Sequence, residues 1–344
     1  MTDVTIKGAG ILGLSIAWAC VARGASVQVI DPHGVAAGSS GGIVGALAPH
    51  VPENWNPKKQ FQLESLLMAR RFWADVEEVG SAPSGYLSTG RLQPLADDHA
   101  VALAQTRCER ARALWGDAAR WEVTDRPPDS HWCPPSASGH WVYDTLSAHL
   151  HPRQACHALA AALARKGVTV AADGADNGPV IWAAGWAGLK ELNAGRARPP
   201  GAGVKGQAAL FGLDRAGQPQ LFADALHIVP HADGTVAIGS TSENSFDDPT
   251  STDAQLETLI SKARGLVPAL ADAPVIARWA GVRPRARSRA PMLGPWPDRP
   301  GQFIANGGFK IGFGMAPKIG EVTADLVLDG RTTFPDDFAV TASL

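Results

Sequence analysis

Three glycines near the amino end have the spacing of a dinucleotide-binding loop. Gly8, Gly10 and Gly13 lie between a strand predicted at 4–7 and a helix predicted at 11–23. In this pattern the first glycine permits a tight turn, the second lets the backbone approach a pyrophosphate, and the third lets helix and strand pack closely. The amino end of the helix adds free N–H groups and a positive dipole end. The segment therefore predicts a pyrophosphate-binding site, although the same glycines would also suit ordinary turns.

An acidic residue stands where the ribose of such a nucleotide needs one. Asp31 follows the second predicted strand and lies 18 residues beyond Gly13. A carboxylate at this point accepts hydrogen bonds from the ribose hydroxyls and disfavours a 2′-phosphate. Further candidate nucleotide contacts are Ile11, Leu12 and Pro32. This unit alone does not distinguish NAD from FAD.

Two further segments are rich in small residues. The loop GVAAGSSGGIVGALAPH (34–50) would let backbone N–H groups come close to a flat cofactor, and a surface linker is the alternative. Near the other end, NGGFKIGFGMAPKIGEV (306–322) leads into a helix predicted from Pro317 to about Leu328, with Gly330 as its stop. The candidate contacts in the first loop are Gly38, Ser39, Ser40, Gly41 and Gly42.

The order of these segments resembles one protein family. The two glycine-rich loops, VIWAAGWAG, VKGQ, LHIVPHADGTVAIGST and WAGVRPRARSRAPMLG are similar to FAD-dependent amine oxidoreductases of the D-amino-acid oxidase superfamily, glycine oxidase above all. The resemblance covers nearly the whole chain and is weaker between residues 82 and 138. It implies that the front loop holds the ADP half of FAD and that the rear loop holds the isoalloxazine ring. We expect the FAD to be non-covalent, because residues 283–314, where sarcosine oxidase-like enzymes carry an attachment cysteine, contain none. The further cofactor contacts that it implies are Ala184, Gly185, Gly308, Phe309, Gly312, Phe313, Gly314 and Met315.

The same resemblance implies three candidates for substrate binding and catalysis. Arg283 would pair with a substrate carboxylate through two parallel hydrogen bonds, and an ordinary surface ion pair is the alternative. Lys310 stands where glycine oxidase-like sequences have an arginine; it is either a looser carboxylate ligand or a solvated charge. His227 replaces a tyrosine and would contact the carboxylate or tune the amine, unless it is a structural histidine. The change to histidine argues against glycine as the specific substrate.

Arginines recur at every second position after Arg283. Together with Arg285, Arg287 and Arg289 it would crowd one face of an extended strand, so a turn is predicted near Pro284. The excess of positive charge hints at a substrate with more than one anionic group.

A chain of 344 residues has room for two domains. Residues 1–85, 146–188 and 284–344 are predicted to form a Rossmann-like FAD-binding domain. Residues 86–145 and 189–283 are predicted to form a substrate-binding domain around an antiparallel sheet. The expected fold class is therefore α/β (α+β), with a Rossmann-like FAD-binding domain interleaved along the chain with an antiparallel-sheet substrate domain.

The resemblance implies FAD-dependent oxidation of the C–N bond of a small amino acid or secondary amine that bears a carboxylate. Hydride would pass from the α-carbon to flavin N5 and water would hydrolyse the imine, which requires no protein base. Two alternatives stay open. One is an oxidoreductase acting on carboxymethylaminomethyl-uridine of tRNA, which GALAP and the arginine run favour. The other is an electron-transfer flavoprotein subunit without its own substrate.

The composition argues against several other classes of protein. The formal net charge is −2 and apolar residues make up 45% of the chain, which predicts a globular protein without general attraction to nucleic acid. The four cysteines are far apart, which predicts neither a metal site nor a disulfide framework. No apolar run approaches the ~20 residues of a membrane span. We expect a cytoplasmic enzyme that passes electrons to oxygen, a quinone or another carrier, and no pattern indicates its oligomeric state.

Overall fold

The computed structural model describes residues 2–127 and 129–344. Its helices are α1 Ile11–Ala22, α2 Pro57–Gly80, α3 Asp98–Trp115, α4 Pro152–Arg165, α5 Gly185–Asn193, α6 Ala254–Leu266 and α7 Gly312–Asp329. Its strands are β1 Val4–Lys7, β2 Val27–Ile30, β3 Ala46–Leu47, β4 Arg91–Pro94, β5 Trp121–Thr124, β6 Trp141–Asp144, β7 Ala148–His149, β8 Val170–Ala171, β9 Val180–Trp182, β10 Gly201–Phe211, β11 Gln220–Ala223, β12 Leu226–Pro230, β13 Val236–Gly239, β14 Val275–Ala286, β15 Met292–Pro295 and β16 Gln302–Asn306.

A six-stranded, mainly parallel sheet carries the front loop. Its strand order is β15-β16-β9-β1-β2-β8, and only β15 pairs antiparallel, at the edge. The first strand of the chain therefore lies inside the sheet, between strands from both halves of the sequence. Helix α1 packs on this sheet and is apolar nearly all round, because α7 covers its other side.

An eight-stranded sheet forms the second layer of structure. Its order is β14-β10-β13-β12-β11-β4-β6-β5, and its pairs are antiparallel except for β4 with β11. The longest pairing joins β10 to β14 along nearly their whole length. A parallel sheet combined with a mainly antiparallel one confirms the predicted fold class.

Two local predictions around proline are wrong. Strand β14 continues through Pro284 to Ala286, because it is an edge strand, where a missing N–H is tolerated. The turn comes later, where the Arg289 N–H donates to the Ala286 carbonyl over 3.0 Å. Pro317 lies inside α7 rather than in its first turn, since the helix already begins at Gly312. The predicted stop is confirmed: Gly330 is left-handed, with a φ of 68°.

The domain boundaries stay a prediction. All strands of the parallel sheet fall within 1–85, 146–188 and 284–344, whereas β14 of the other sheet runs past the proposed boundary at residue 283. Among the described residues, no helix is long and apolar enough to cross a bilayer.

Candidate cofactor and substrate site

The front loop contains glycines at which any side chain would collide with neighbouring backbone atoms. Gly8 has a φ of 117°, and its N–H donates to the Ile30 carbonyl over 2.8 Å. A methyl group at Gly8 would lie 2.4 Å from the Ala183 carbonyl oxygen, and one at Gly13 would lie 1.9 Å from the Gly8 oxygen. The strand, the turn and the helix are therefore packed as a pyrophosphate loop requires. The contact with Ala183 also places Ala184, the next residue, beside this loop.

The carboxylate of Asp31 is held at the carboxyl end of β2. Its Oδ2 accepts the Ala9 N–H over 2.8 Å and its Oδ1 accepts the His33 N–H over 2.9 Å. Each carboxylate oxygen has a second lone pair, so the group can still accept hydrogen bonds from ribose hydroxyls. Pro32, next to it, is exposed at the rim.

The loop after β2 lies against the start of α1 and is not a free linker. A short 3₁₀ helix, Ser39–Gly41, follows Gly38, and Ser40 Oγ accepts the Ile11 N–H over 3.0 Å. A methyl group at Gly10 would lie 3.0 Å from the same Ser40 oxygen. Ser40 keeps its own hydroxyl proton, which can be donated to a phosphate at the helix terminus. Gly41 and Gly42 are both buried beside it.

The rear loop meets the front loop in space. A methyl group at Gly308 would lie 3.8 Å from Leu12 Cδ1, and one at Gly312 would lie 4.0 Å from Ile11 Cγ2. The Asn306 side-chain amide also donates to the Gly185 carbonyl over 2.8 Å. The glycine-rich segments from opposite ends of the chain therefore line one region.

Helix α7 presents its amino end in this region. The N–H groups of Gly312, Phe313 and Gly314 have no acceptor within the helix, because they belong to its first turn. The Met315 N–H is already used, since it donates to the Ile311 carbonyl over 3.1 Å, and its side chain is buried in the core. Three N–H groups and the helix dipole can thus stabilise negative charge here.

Arg283 is mostly buried and is only partly satisfied by the protein. Its Nη1 donates to Ser240 Oγ over 2.6 Å, and its Nη2 donates to the Thr241 carbonyl over 2.6 Å and to the Lys205 carbonyl over 3.3 Å. Its Nε–H has no partner among the described residues. Burial lowers the pKa of Arg283 to about 10, so the guanidinium is still charged at neutral pH. A buried cation with an open donor is suited to binding an anion.

Three cationic side chains lie around the ring of Phe309. Its ring centroid lies 5.5 Å from Arg283 Cζ, 5.7 Å from Lys310 Nζ and 5.7 Å from Arg285 Cζ. Phe309 has a φ of 41°, a left-handed conformation that costs a non-glycine residue about 1–2 kcal/mol. Partial burial of the ammonium and the nearby Arg283 charge both lower the pKa of Lys310. The predicted pair Arg283 and Lys310 is therefore brought together around one aromatic ring.

His227 lies at the edge of this cluster as a neutral imidazole. Its Nδ1 is buried without a hydrogen-bond partner among the described residues, and its ring packs 4.6 Å from the Phe222 ring. Burial first, and then the positive charges of Arg91 and Lys310, lower the pKa of His227 to about 3. The side chain can therefore exchange hydrogen bonds with a ligand, but it does not contribute charge at neutral pH.

Several residues of this region were missed by the sequence analysis. Ser240 and Thr241 orient the Arg283 guanidinium, and a side chain at Gly206 would collide with Arg283 Nη2 at 2.1 Å. Trp279 lies on the same face of β14 as Arg283, and its Cη2 would be 3.4 Å from a methyl group at Gly42. The alternation along β14 would have indicated Trp279. Nothing local in the sequence indicates which carbonyls Arg283 contacts.

The profile of the DAO family, described as FAD dependent oxidoreductase, matches residues 3–326. The chain belongs to this family. Glycine oxidase from Pseudomonas putida is 29% identical over 364 aligned positions, which cover 94% of this chain and 94% of that protein. Glycine oxidase from Pseudomonas aeruginosa is 37% identical, but over only 46% of this chain and 43% of its own length.

Solved structures give the same fold. Glycine oxidase from Geobacillus kaustophilus superposes with a TM-score of 0.83 at 22% identity, and iminodiacetate oxidase from Chelativorans sp. BNC1 with 0.79 at 23% identity. Each comparison covers 98% of both chains. Membership of the family confirms the prediction of an FAD-dependent oxidoreductase. The two loops fit this cofactor, because the front one is closed to any residue larger than glycine and the rear one offers free N–H groups.

Buried histidines predict a loss of stability in acid. Desolvation lowers the pKa of His149 to about 4 and is the main cause that lowers those of His227 and His231 to about 3. Below pH 6.5 the unfolded chain binds protons at these sites and the folded protein does not, so stability falls as the pH falls towards the folded pKa values. At pH 5.5 each site should cost about 1.4 kcal/mol relative to pH 7.5.

Urea unfolding of the FAD-loaded protein at the two pH values tests this expectation. His149→Gln should reduce the difference in unfolding free energy by about 1.4 kcal/mol. The exposed His157 provides the control, since His157→Gln should leave the difference unchanged. Equal stability at both pH values would contradict the buried neutral state.

Proposed function

We propose that this chain uses non-covalently bound FAD to oxidise the C–N bond of a small amine or amino acid that bears a carboxylate. The observation that carries the proposal is the grouping of Arg283 and Lys310 around Phe309, beside the amino end of α7. Two cations at the predicted ring end of the cofactor favour a carboxylate-bearing substrate. Glycine oxidases among the relatives support the same reaction class.

Each residue has a role that follows from its surroundings. Arg283 binds and orients the carboxylate, and Lys310 adds a second positive charge without a fixed hydrogen-bond direction. His227 is neutral and hydrogen-bonds the carboxylate or the amine. The first N–H groups of α7 stabilise negative charge that develops at the ring.

Placement and exclusion of water supply the remaining catalysis. FAD, when bound, provides a two-electron acceptor, so the chain needs no general base to oxidise the neutral amine. Arg283 and His227 are themselves largely desolvated, which strengthens their interactions with a bound substrate. We further propose oxygen, a quinone or another small carrier as the final acceptor, in the cytoplasm.

An anaerobic substrate screen tests the proposal. The yellow holoprotein should lose its flavin absorbance when mixed with at least one member of a panel of D-amino acids, N-methyl glycines, glycine and dicarboxylic amines. The rate should saturate with concentration, and ammonia or a primary amine should be released in a one-to-one ratio with reduced flavin. A flavin that stays oxidised with every member of the panel would contradict the proposal.

Lys310→Ala should weaken substrate binding less than loss of Arg283. Lys310 keeps much of its surface exposed and is not held by a network, so its removal should raise KM by about 10-fold or less and leave kcat nearly unchanged. Steady-state kinetics with the best substrate of the screen provide the measurement. Lys310→Arg should recover part of the loss. An unchanged KM in Lys310→Ala would show that Lys310 is a solvent-exposed charge that does not bind the substrate.

A further inference from the structure

A cleft lined by arginines adjoins the proposed substrate site. It has a volume of about 280 Å³ and is bordered by Arg285, Arg287 and Arg289 on one side and by the chain around Gly201 on the other. Strand β14 ends here, and the Arg287 N–H donates to the Pro200 carbonyl over 2.8 Å, which fixes the wall of the cleft. The proposed reaction at Arg283 does not use these three side chains.

The charges of this cleft are not neutralised by the protein. In the described part of the chain, no ion pair involves Arg285, Arg287 or Arg289. The partner of the Arg285 guanidinium is an uncharged one, Asn244 Oδ1, at 3.1 Å. Arg287 Nη1 is buried and has no hydrogen-bond acceptor among the described residues. Like charges this close repel one another, and a buried donor without an acceptor is costly, so the arrangement favours a bound anion.

The cleft shares Arg285 with the cluster of cations around Phe309. Arg283 and Arg285 occupy alternate positions of β14, so both side chains leave the same face, with their Cα atoms about 7 Å apart. Both guanidinium groups lie against Phe309, at 5.5 and 5.7 Å from its ring centroid. A ligand with one carboxylate on Arg283 would therefore bring a second acidic group, a few bonds away, to Arg285 and the cleft behind it.

We propose that this cleft is a subsite for a second anionic group of the substrate, and that the preferred substrates are amines or amino acids with two carboxylates. The inference rests on the proposed function for the position of the first carboxylate. Arg285 is then a specificity-determining residue, with Arg287 as its support. We favour a small dicarboxylic ligand over RNA, because the net charge of −2 gives the surface no general affinity for nucleic acid.

Binding of unreactive acids to the FAD-loaded protein tests the subsite without requiring turnover. Glutarate, with two carboxylates, should bind at least ~10-fold more tightly than butyrate, measured by calorimetry and by perturbation of the flavin spectrum. In Arg285→Ala this preference should fall by at least ~10-fold, and Arg287→Ala should lower it in part. Arg278→Ala is the matched control, because Arg278 lies on the same strand, is exposed and pairs with Glu257 at 3.0 Å.

Each outcome supports or overturns the subsite. Equal affinities for glutarate and butyrate, or an equal loss of both in Arg285→Ala, would overturn it. Tighter binding of a short RNA or of inorganic phosphate than of glutarate, with the same dependence on Arg285, would also overturn the assignment to a dicarboxylic substrate. Failure of the proposed function has a different signature. The flavin would then stay oxidised with every amine, while the glutarate preference and its loss in Arg285→Ala would persist.

Discussion

Arg283→Ala should lower kcat/KM by at least ~100-fold. The guanidinium is mostly buried, keeps its charge and has an Nε–H without a partner among the described residues, so its removal should delete a charge-assisted contact with the substrate. A loss of this size corresponds to about 2.7 kcal/mol of transition-state binding. Steady-state kinetics with the best amine substrate provide the measurement.

A structural role for Arg283 would give a different result. The side chain also joins β14 to Ser240 and Thr241. The control is therefore Ser240→Ala, which removes one of these links but leaves the charge. If Arg283 binds the substrate, the first variant should lose kcat/KM at full FAD content, and the second should lose far less. Unchanged kinetics in Arg283→Ala would show that Arg283 does not contact the substrate. Loss of FAD or of folding in both variants would show that Arg283 has a structural role.

Gly13→Ala should largely abolish retention of FAD. The new methyl group would lie 1.9 Å from the Gly8 carbonyl oxygen, so the turn must move away from the helix that it faces. Because the turn is the part of the loop that the pyrophosphate approaches, we expect the FAD affinity to fall by at least ~100-fold. The ratio of flavin to protein absorbance after purification and a titration of the apoprotein with FAD measure the change.

The matched control for this variant is Gly265→Ala. Gly265 is also helical, near the end of α6, and a methyl group there would meet no atom within contact distance. Alanine is the better helix former by about 1 kcal/mol, so this variant should keep its FAD and gain slightly in stability. Full FAD content in Gly13→Ala, with a native circular dichroism spectrum, would contradict the role given to the front loop.

The front loop could be predicted from the sequence because its constraints are local. The spacing of Gly8, Gly10 and Gly13 and the distance to Asp31 fix a strand, a turn and a helix within one short segment. The structure shows the expected contacts, such as the Ala9 N–H on the Asp31 carboxylate. The place of Ser40 against Ile11 was harder to predict, since it requires a loop to fold back on the helix.

The substrate region was harder to predict from the sequence, because its contacts join residues that are far apart in the chain. The acceptors of Arg283 come from β10 and from the residues after β13, at sequence separations of about 40 to 80 residues. The predictions of a turn near Pro284 and of a helix start at Pro317 were wrong for a related reason. Pro284 is tolerated only because β14 lies at a sheet edge, and Pro317 lies in a helix that begins with glycines of low helix propensity.

The central position of β1 has a consequence for biosynthesis. Strand β1 is synthesised long before its neighbour β9 and the next strand of the sheet, β16, which are completed only at residues 182 and 306. Helix α1, which is apolar on nearly every side, is likewise synthesised long before α7, the helix that packs against it. While the chain is being made, the β1-α1-β2 segment therefore exposes apolar surface until β9, β16 and α7 have been synthesised, and incomplete chains should be prone to aggregation until then.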